Sequence, residues 1–210
     1  SIRRPRACAI RRRRHSSAIL LFGGSNGAVD EAYADRVLAQ FGAGDILLLQ
    51  NEISALPYIL EKAHARGMEI WLNPSPMNEN VLKCNLSLVS VFVLNEVEGE
   101  QLTGTKIPTA ILDKLLQKYP HAAAVLTLGS KGAWYAKEDK RAFAPAELVR
   151  AVDTTAAGDT FTGYFMRGML DGLSPKKSLI LAAKAAAIAV SRPGAAPSIP
   201  LYAEVTSERN

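Results

Sequence analysis

The segment Val152–Phe165 has the clearest capacity for chemistry, because small side chains there lead into an amphipathic helix. Asp159 stands on the first turn of that helix, directly after Gly158. Small residues let a ligand approach the main chain, and the free N–H groups of a helix start favour an anion. A carboxylate beside such amides could accept a proton from a hydroxyl that attacks a phosphoryl group. In isolation, an acid at this position more commonly serves the helix N-terminus alone.

Three further groups of polar residues follow predicted strands. Asn95 and Glu98 stand three apart at a helix start, where they could hold a hydrated divalent cation or simply cap the helix. The segment 127–132 carries two glycines, a serine and a lysine, which suit a turn beside phosphate but also occur in many surface hairpins. Glu52 ends another strand, and it too could be only a helix-capping acid.

The elements that must position these residues alternate along the chain, which predicts a parallel sheet covered by helices on both faces. We therefore expect an α/β fold of three layers, α/β/α, with a mostly parallel central sheet. Ligands in such sheets bind beyond the carboxyl ends of the strands. Strands are predicted at 18–22, 45–50, 68–72, 89–94 and 123–128, a hairpin at 133–136 and 141–143, and helices at 29–41, 55–66, 97–102, 108–118 and 175–190. Six residues then fall at positions consistent with one cleft: Asn51, Glu52, Asn73, Asn95, Gly129 and Asp159.

Composition limits the classes of function. Seven of the 25 basic residues are arginines within residues 1–14, and the remaining 18 face 20 acids, so the body carries a net charge of −2 despite the overall +5. This balance argues against a nucleic-acid surface, and no apolar run reaches the length of a membrane span. Cys8 and Cys84 suggest neither a disulfide framework nor a metal site, and they favour a reducing compartment such as the cytoplasm.

The string Asp153–Asp159 closely resembles the C-terminal signature of the ribokinase family of sugar kinases, also called the PfkB family. The resemblance implies that Ala156, Ala157, Gly158 and Asp159 form an anion hole, with Asp159 as the catalytic base. It also implies that Glu98 positions Mg²⁺ through water and that Asn95 contacts nucleotide phosphate. The nucleotide loop would consist of Thr127, Gly129, Ser130, Lys131 and Gly132, and Glu52 would contact the sugar hydroxyls. A K⁺ cage would use the Asp153 carboxylate, the Thr155, Ala189, Arg192 and Gly194 carbonyls, and the Ser198 hydroxyl.

The first 16 residues break the family pattern. Members of the family carry an Asn-x-Asp sugar-binding strand, a Gly-Gly-Lys-Gly-x-Asn loop and a small β-sheet lid before the region that matches here, and this sequence contains none of them. We interpret residues 1–16 as an Arg-rich leader, aberrant or disordered, from a truncated or frame-shifted start. A functional basic arm is the alternative. Residues 17–210 would form an incomplete ribokinase-like nucleotide-binding and catalytic domain.

The resemblance implies ATP-dependent phosphorylation of a sugar hydroxyl, most simply the conversion of D-ribose to D-ribose 5-phosphate, with Mg²⁺ and K⁺ as cofactors. Two alternatives stay open: a kinase for another sugar or a nucleoside, and a non-catalytic nucleotide-binding fragment. Partners would be the small-molecule sugar and ATP, without nucleic acid or membrane. Family members tend to form homodimers through the lid, and that surface is missing from this sequence.

Overall fold

The computed structural model describes residues 6–12, 16–22 and 24–207. The chain divides into two compact units, with the boundary between Ser90 and Val91. Each unit combines β-strands with helices that cover them, and each has its own set of candidate functional residues.

The first unit is built on a pair of parallel strands, in which Leu48 lies opposite Trp71. Alternation of apolar strands with amphipathic helices explains this arrangement, because each helix buries one face. In α2 (Leu56–Ala65), the buried face includes Leu56, Leu60 and Ala63. Gly67 ends that helix region with a φ of 73°, as predicted for a glycine that follows a helix. The elements are β1 (Arg6–Arg12), β2 (Ser16–Phe22), α1 (Glu31–Leu38), β3 (Ile46–Gln50), α2 (Leu56–Ala65), β4 (Glu69–Asn73) and α3 (Glu79–Lys83).

Part of the predicted leader is a regular strand. Arg6–Arg12 pairs antiparallel with Ser16–Phe22, with Ala9 opposite Ile19. Residues 6–12 are therefore extended and paired, and the interpretation of residues 1–16 as an aberrant or disordered leader stays a prediction. The rest of the leader, residues 1–5 and 13–15, lies outside the described residues.

The second unit combines one parallel strand pair with an antiparallel hairpin. β5 (Val91–Asn95) runs parallel to β6 (Ala123–Thr127). β6 also pairs antiparallel with β7 (Ala133–Lys137), which is joined by a turn to its antiparallel neighbour β8 (Lys140–Ala144). Short, continuously apolar strands explain the burial of β5 and β6 on both faces. The elements are β5 (Val91–Asn95), α4 (Glu96–Thr103), α5 (Pro108–Lys118), β6 (Ala123–Thr127), β7 (Ala133–Lys137), β8 (Lys140–Ala144), α6 (Ala157–Leu170), α7 (Pro175–Val190) and α8 (Tyr202–Thr206).

Helices α6 and α7 are packed closely against each other because α6 carries a glycine at the contact. A Cβ at Gly168 would lie 2.7 Å from Ser178 Oγ and 3.0 Å from Ser178 Cα. Ser178 is fully buried, and its hydroxyl donates to the Ser174 carbonyl at 3.2 Å. The helix that begins at the Gly158-Asp159 motif is thus held against α7 by a contact that tolerates no side chain.

We expect Gly168→Ala to destabilise the protein by about 1–3 kcal/mol, because the added methyl overpacks the contact with Ser178. Gly163 lies on the same helix, and a Cβ there would meet nothing within 4 Å. Gly163→Ala should therefore be neutral or stabilising by up to about 1 kcal/mol, through helix propensity alone. Urea denaturation of the two variants provides the measurement. Equal changes in the free energy of unfolding would contradict the close-packing explanation.

The structure confirms the predicted strands and the longer helices with shifts of a few residues at their ends. The start of α7 is as predicted, since Ser174 accepts a hydrogen bond from the Lys177 N–H and Pro175 follows it. The sequence analysis missed α3 and α8, which are only five residues long. Within the described residues, no helix has both the length and the apolar character that crossing a bilayer requires.

Candidate functional site

The N-terminus of α6 presents the Gly158-Asp159 motif. The first i→i−4 hydrogen bond of the helix runs from the Thr160 N–H to the Ala156 carbonyl at 2.9 Å, so the amides of residues 157–159 precede it. The Ala157 N–H donates to the Thr154 carbonyl at 3.2 Å, which engages it in the turn before the helix. Gly158 and Asp159 are exposed. Of the four predicted anion-hole residues, Gly158 and Asp159 are thus the most exposed, whereas Ala156 is buried.

A cavity of about 350 Å³ opens beside this helix start, entirely within the second unit. Its volume falls in the range of pockets for small ligands. Its lining combines glycines and hydroxyl-bearing residues with apolar residues from α7, α6 and the segment 146–151. The glycines and hydroxyl-bearing residues are Thr127, Gly129, Ser130, Gly132, Thr154 and Gly158, and the apolar residues include Leu148, Val149, Phe161, Ala183, Ala186, Ala187 and Val190.

The loop between β6 and β7 contributes four of the five predicted nucleotide-loop residues to this cavity. Gly132 has a φ of 114°, and a Cβ there would lie 2.2 Å from the Ala144 carbonyl oxygen, so this position requires glycine. The fifth residue, Lys131, is directed elsewhere, because its Nζ lies 3.2 Å from Glu96 Oε1. Glu96 is the first residue of α4, so this ion pair joins the loop to the start of that helix.

Asn95 and Glu98 form a reciprocal cap at the start of α4. The Asn95 side chain accepts from the Glu98 N–H at 2.9 Å, and Glu98 Oε2 accepts from the Asn95 N–H at 2.9 Å. The Asn95 amide nitrogen also donates to Glu98 Oε1 at 2.8 Å, which fixes both carboxylate oxygens. Within the described part of the chain, no three His, Cys, Asp or Glu side chains cluster as metal ligands. The reciprocal cap is therefore established.

Asp153 connects the segment before α6 to the loop after α7. Its Oδ1 accepts from the Thr155 hydroxyl at 2.6 Å and the Thr155 N–H at 3.0 Å, while Oδ2 accepts from the Gly194 N–H at 3.1 Å. These bonds, led by the one from the Thr155 hydroxyl, lower the pKa of the Asp153 carboxyl below its ordinary value. The Asp153 N–H donates in turn to the Val190 carbonyl at 3.2 Å. Three of the six residues predicted for a K⁺ cage, Asp153, Thr155 and Gly194, are thus joined by direct contacts.

The remaining members of the predicted cage lie in the same loop. Ser198 is buried, and its hydroxyl donates to the Ala195 carbonyl at 2.7 Å, which leaves its oxygen lone pairs for another partner. The Ala189 carbonyl accepts from the Arg192 N–H at 3.1 Å. Among the described residues, the carbonyls of Arg192 and Gly194 accept no hydrogen bond. Carbonyl, carboxylate and hydroxyl oxygens of this kind are the donor set of a hard cation.

Glu52 lies in the first unit, after β3. Its Oε2 accepts from the Asn26 side-chain amide at 3.4 Å, and the Ser54 hydroxyl donates to the Val29 carbonyl at 2.6 Å. The neighbouring Asn51 is buried, and its amide nitrogen donates to Asn78 Oδ1 at 2.9 Å. Glu52 is exposed, and these contacts hold the segment after β3 that carries it. Such a position is compatible with the predicted role in substrate binding.

Sequence reasoning missed three parts of this arrangement. The apolar wall of the cavity comes from α7, and its only signal was the alanine run at 182–189. The Lys131–Glu96 pair joins residues 35 positions apart, and nothing in the local pattern marked it. The contact between Asn26 and Glu52 likewise joins residues 26 positions apart.

Comparison with known proteins gives consistent matches over almost the whole chain. A family model described as pfkB family carbohydrate kinase matches residues 17–201. A ribokinase from Schizosaccharomyces pombe is 37% identical over 205 residues, which cover 91% of this chain and 63% of the relative. Curated relatives of this kind are therefore longer, and the chain spans about 63% of their length.

Solved structures show the same likeness. A ribokinase structure from Thermotoga maritima has 30% identity and a TM-score of 0.79, covering 96% of this chain and 68% of that one. The structure of Arabidopsis thaliana ribokinase complexed with ribose and ATP has 26% identity and a TM-score of 0.79, covering 96% of this chain and 67% of that one. The predicted α/β fold of three layers is confirmed by these matches.

Proposed function

The chain belongs to the pfkB family of carbohydrate kinases, and from this premise we propose that it transfers the γ-phosphoryl group of ATP to the 5-hydroxyl of D-ribose. The observation that carries the proposal is the cavity that opens at the start of α6, where Gly158 lies next to Asp159. The apolar lining residues suit a purine base, and the glycines and hydroxyls of the lining suit phosphates. Ribose as the acceptor is supported by the ribokinases among the relatives.

The chemistry proposed for Asp159 is general-base catalysis. Its carboxylate accepts the proton of the sugar hydroxyl as that oxygen attacks the γ-phosphorus of ATP, and the bond from phosphorus to the β–γ bridging oxygen breaks to release ADP. The N–H groups of Gly158 and Asp159 stabilise the charge on the transferring group. The exposure of both residues at the start of α6 supports this role.

The proposal includes two cations. Mg²⁺ would shield the charge of the nucleotide phosphates, and Glu98 would meet it through water. A site with one buried carboxylate fits an ion that keeps most of its own waters. K⁺ would be held by the oxygens of Asp153, Thr155, Ala189, Arg192, Gly194 and Ser198, and it would order the turn that leads into α6. Asn95 and Lys131 would assist at the phosphates.

Ribose-dependent release of ADP tests the proposal. We expect ADP release from ATP to rise on addition of ribose, with a smaller response to fructose, 2-deoxyribose or a nucleoside. A larger response to one of these would favour the kinase of another sugar or of a nucleoside. ATP binding without sugar-dependent turnover would favour the non-catalytic nucleotide-binding fragment.

The Lys131–Glu96 ion pair makes a separate prediction about nucleotide affinity. Lys131 must leave Glu96 to reach phosphate, so Glu96→Gln should raise ATP affinity by about two- to fivefold, the equivalent of a surface ion pair. Isothermal titration calorimetry gives the dissociation constants. Glu100→Gln is the matched control, because it removes the similarly exposed pair with Lys106 on the same helix. Weaker binding by Glu96→Gln would show that Glu96 itself assists the nucleotide.

A further inference from the structure

The C-terminal helix α8 is tied to the loop that follows α7 by one side-chain pair. Arg192 Nη2 lies 2.5 Å from Glu204 Oε1, and Glu204 Oε2 accepts from the Leu201 N–H at 2.7 Å. The hydrogen bond from Arg192 is the first cause that lowers the pKa of the Glu204 carboxyl, and the Leu201 N–H adds to it. Both carboxylate oxygens are thus used, one within α8 and one across to the loop.

The Glu204 carboxylate is held in place by the packing of α8. Val205 is buried in a cluster with Leu181 and Ile188 of α7, and Tyr164 packs against the same cluster. The Tyr164 hydroxyl donates to the Pro200 carbonyl at 2.7 Å, which fixes the entry to α8 from the side of α6. Glu204 therefore differs from a freely moving surface acid, because the helix that carries it is anchored on two others.

The loop on the other side of the pair leads directly to the α6 motif. Arg192 is two residues from Gly194, whose N–H binds Asp153, and Asp153 binds Thr155 just before the helix. In the proposed function, the carbonyls of Arg192 and Gly194 are ligands of K⁺. Within the described residues, Glu204 is the one polar side-chain partner of Arg192, so this pair ties the loop that carries both carbonyls to α8.

We infer that Glu204 and Arg192 are a positioning pair for the monovalent-cation site, with Glu204 holding the 192–194 carbonyls at the spacing that K⁺ requires. The inference rests on the cation site of the proposed function. Neither side chain contacts the cation or the substrate; the pair sets the affinity of the site through the loop. A merely structural pair would stabilise α8 equally at every K⁺ concentration.

The test measures the thermal unfolding temperature as KCl replaces tetramethylammonium chloride at constant ionic strength, with NaCl as a parallel series. We expect K⁺ to raise the unfolding temperature of the wild-type chain more than Na⁺ does. Glu204→Gln should need about two- to fivefold more K⁺ for the half-maximal increase, the equivalent of a partly exposed ion pair. Glu204→Asp, which keeps the charge on a shorter side chain, should restore part of the affinity.

Asp171→Asn is the matched control. Asp171 accepts from Arg167 at 2.7 Å and from the Tyr202 hydroxyl at 3.4 Å, so its loss loosens α8 without reaching the loop. An unchanged half-maximal K⁺ concentration in Glu204→Gln would overturn the inference about the pair and leave the proposed cation site in place. A wild-type chain that does not distinguish K⁺ from Na⁺ would instead overturn the cation site of the proposed function. If Glu204→Gln does not fold, Arg192→Lys takes its place, because it keeps the charge and loses the guanidinium geometry. It must then show the same increase in the half-maximal K⁺ concentration.

Discussion

Asp159→Asn is expected to reduce ribose-dependent ADP release by about 10²- to 10⁴-fold, the range that a general base contributes. The amide keeps the size of the carboxylate and its place on the first turn of α6, but it cannot accept the proton of the attacking hydroxyl. Asp159 is exposed beside Gly158, which lines the cavity, so the loss should fall on the chemical step. Initial rates at saturating ATP and ribose provide the measurement.

Nucleotide binding separates this role from a structural one. The ATP dissociation constant of Asp159→Asn should stay within about twofold of wild type, because the main-chain amides remain in place. Asp171→Asn serves as control, since it removes an acid from the other end of the helix region and should keep the full rate. Sugar-dependent turnover retained in Asp159→Asn would refute the general-base role.

The second large effect is expected at Gly132, in the loop between β6 and β7. Gly132→Ala should destabilise the protein by about 2–5 kcal/mol, combining a left-handed main-chain conformation with overpacking. The clash is with main chain, because the new Cβ would lie 2.2 Å from the Ala144 carbonyl oxygen and 2.8 Å from Pro145 Cα. Neither atom can move without displacing the end of β8 and the segment that borders the cavity. Urea denaturation measures the change.

Gly129→Ala distinguishes the two contributions. Gly129 also has a positive φ, of 55°, but a Cβ there would meet nothing within 4 Å. We expect a cost of only about 1–2 kcal/mol, from the conformation alone. If both variants lost the same stability, the close approach of Ala144 to Gly132 would have no energetic role.

Much of the fold could be predicted because local signals agreed with tertiary structure. The bounds of α5, Pro108–Lys118, match the prediction, since proline at the first helical position and a periodic apolar face both mark it. By contrast, α3 begins at the Asn78 cap, and Asn78 Oδ1 also accepts from Asn51, 27 positions earlier. A five-residue helix that depends on such a contact leaves little periodic signal in the sequence.

In the candidate site, too, the features with a local sequence signal could be predicted and those that depend on tertiary contacts could not. The Gly158-Asp159 motif was visible because its predicted role depends on residues adjacent in sequence. The partner of Lys131 was not, because an ion pair with Glu96 depends on how β6 and α4 are placed. The interpretation of Asn95 and Glu98 as a helix cap is confirmed by their reciprocal hydrogen bonds, whereas their role toward phosphate and Mg²⁺ stays a prediction.

The apolar residues that line the cavity differ in how far they can be shortened. On the α7 side, Ala183, Ala186 and Ala187 leave only a methyl group each to remove, and glycine there would weaken the helix by about 1 kcal/mol per substitution. In the segment 146–151, Leu148 is 94% exposed and can be shortened at little cost in packing. A variant that is to accept a larger apolar ligand group should therefore be altered at Leu148 and Val149 before these three alanines of α7, at which any residue larger than alanine would narrow the cavity.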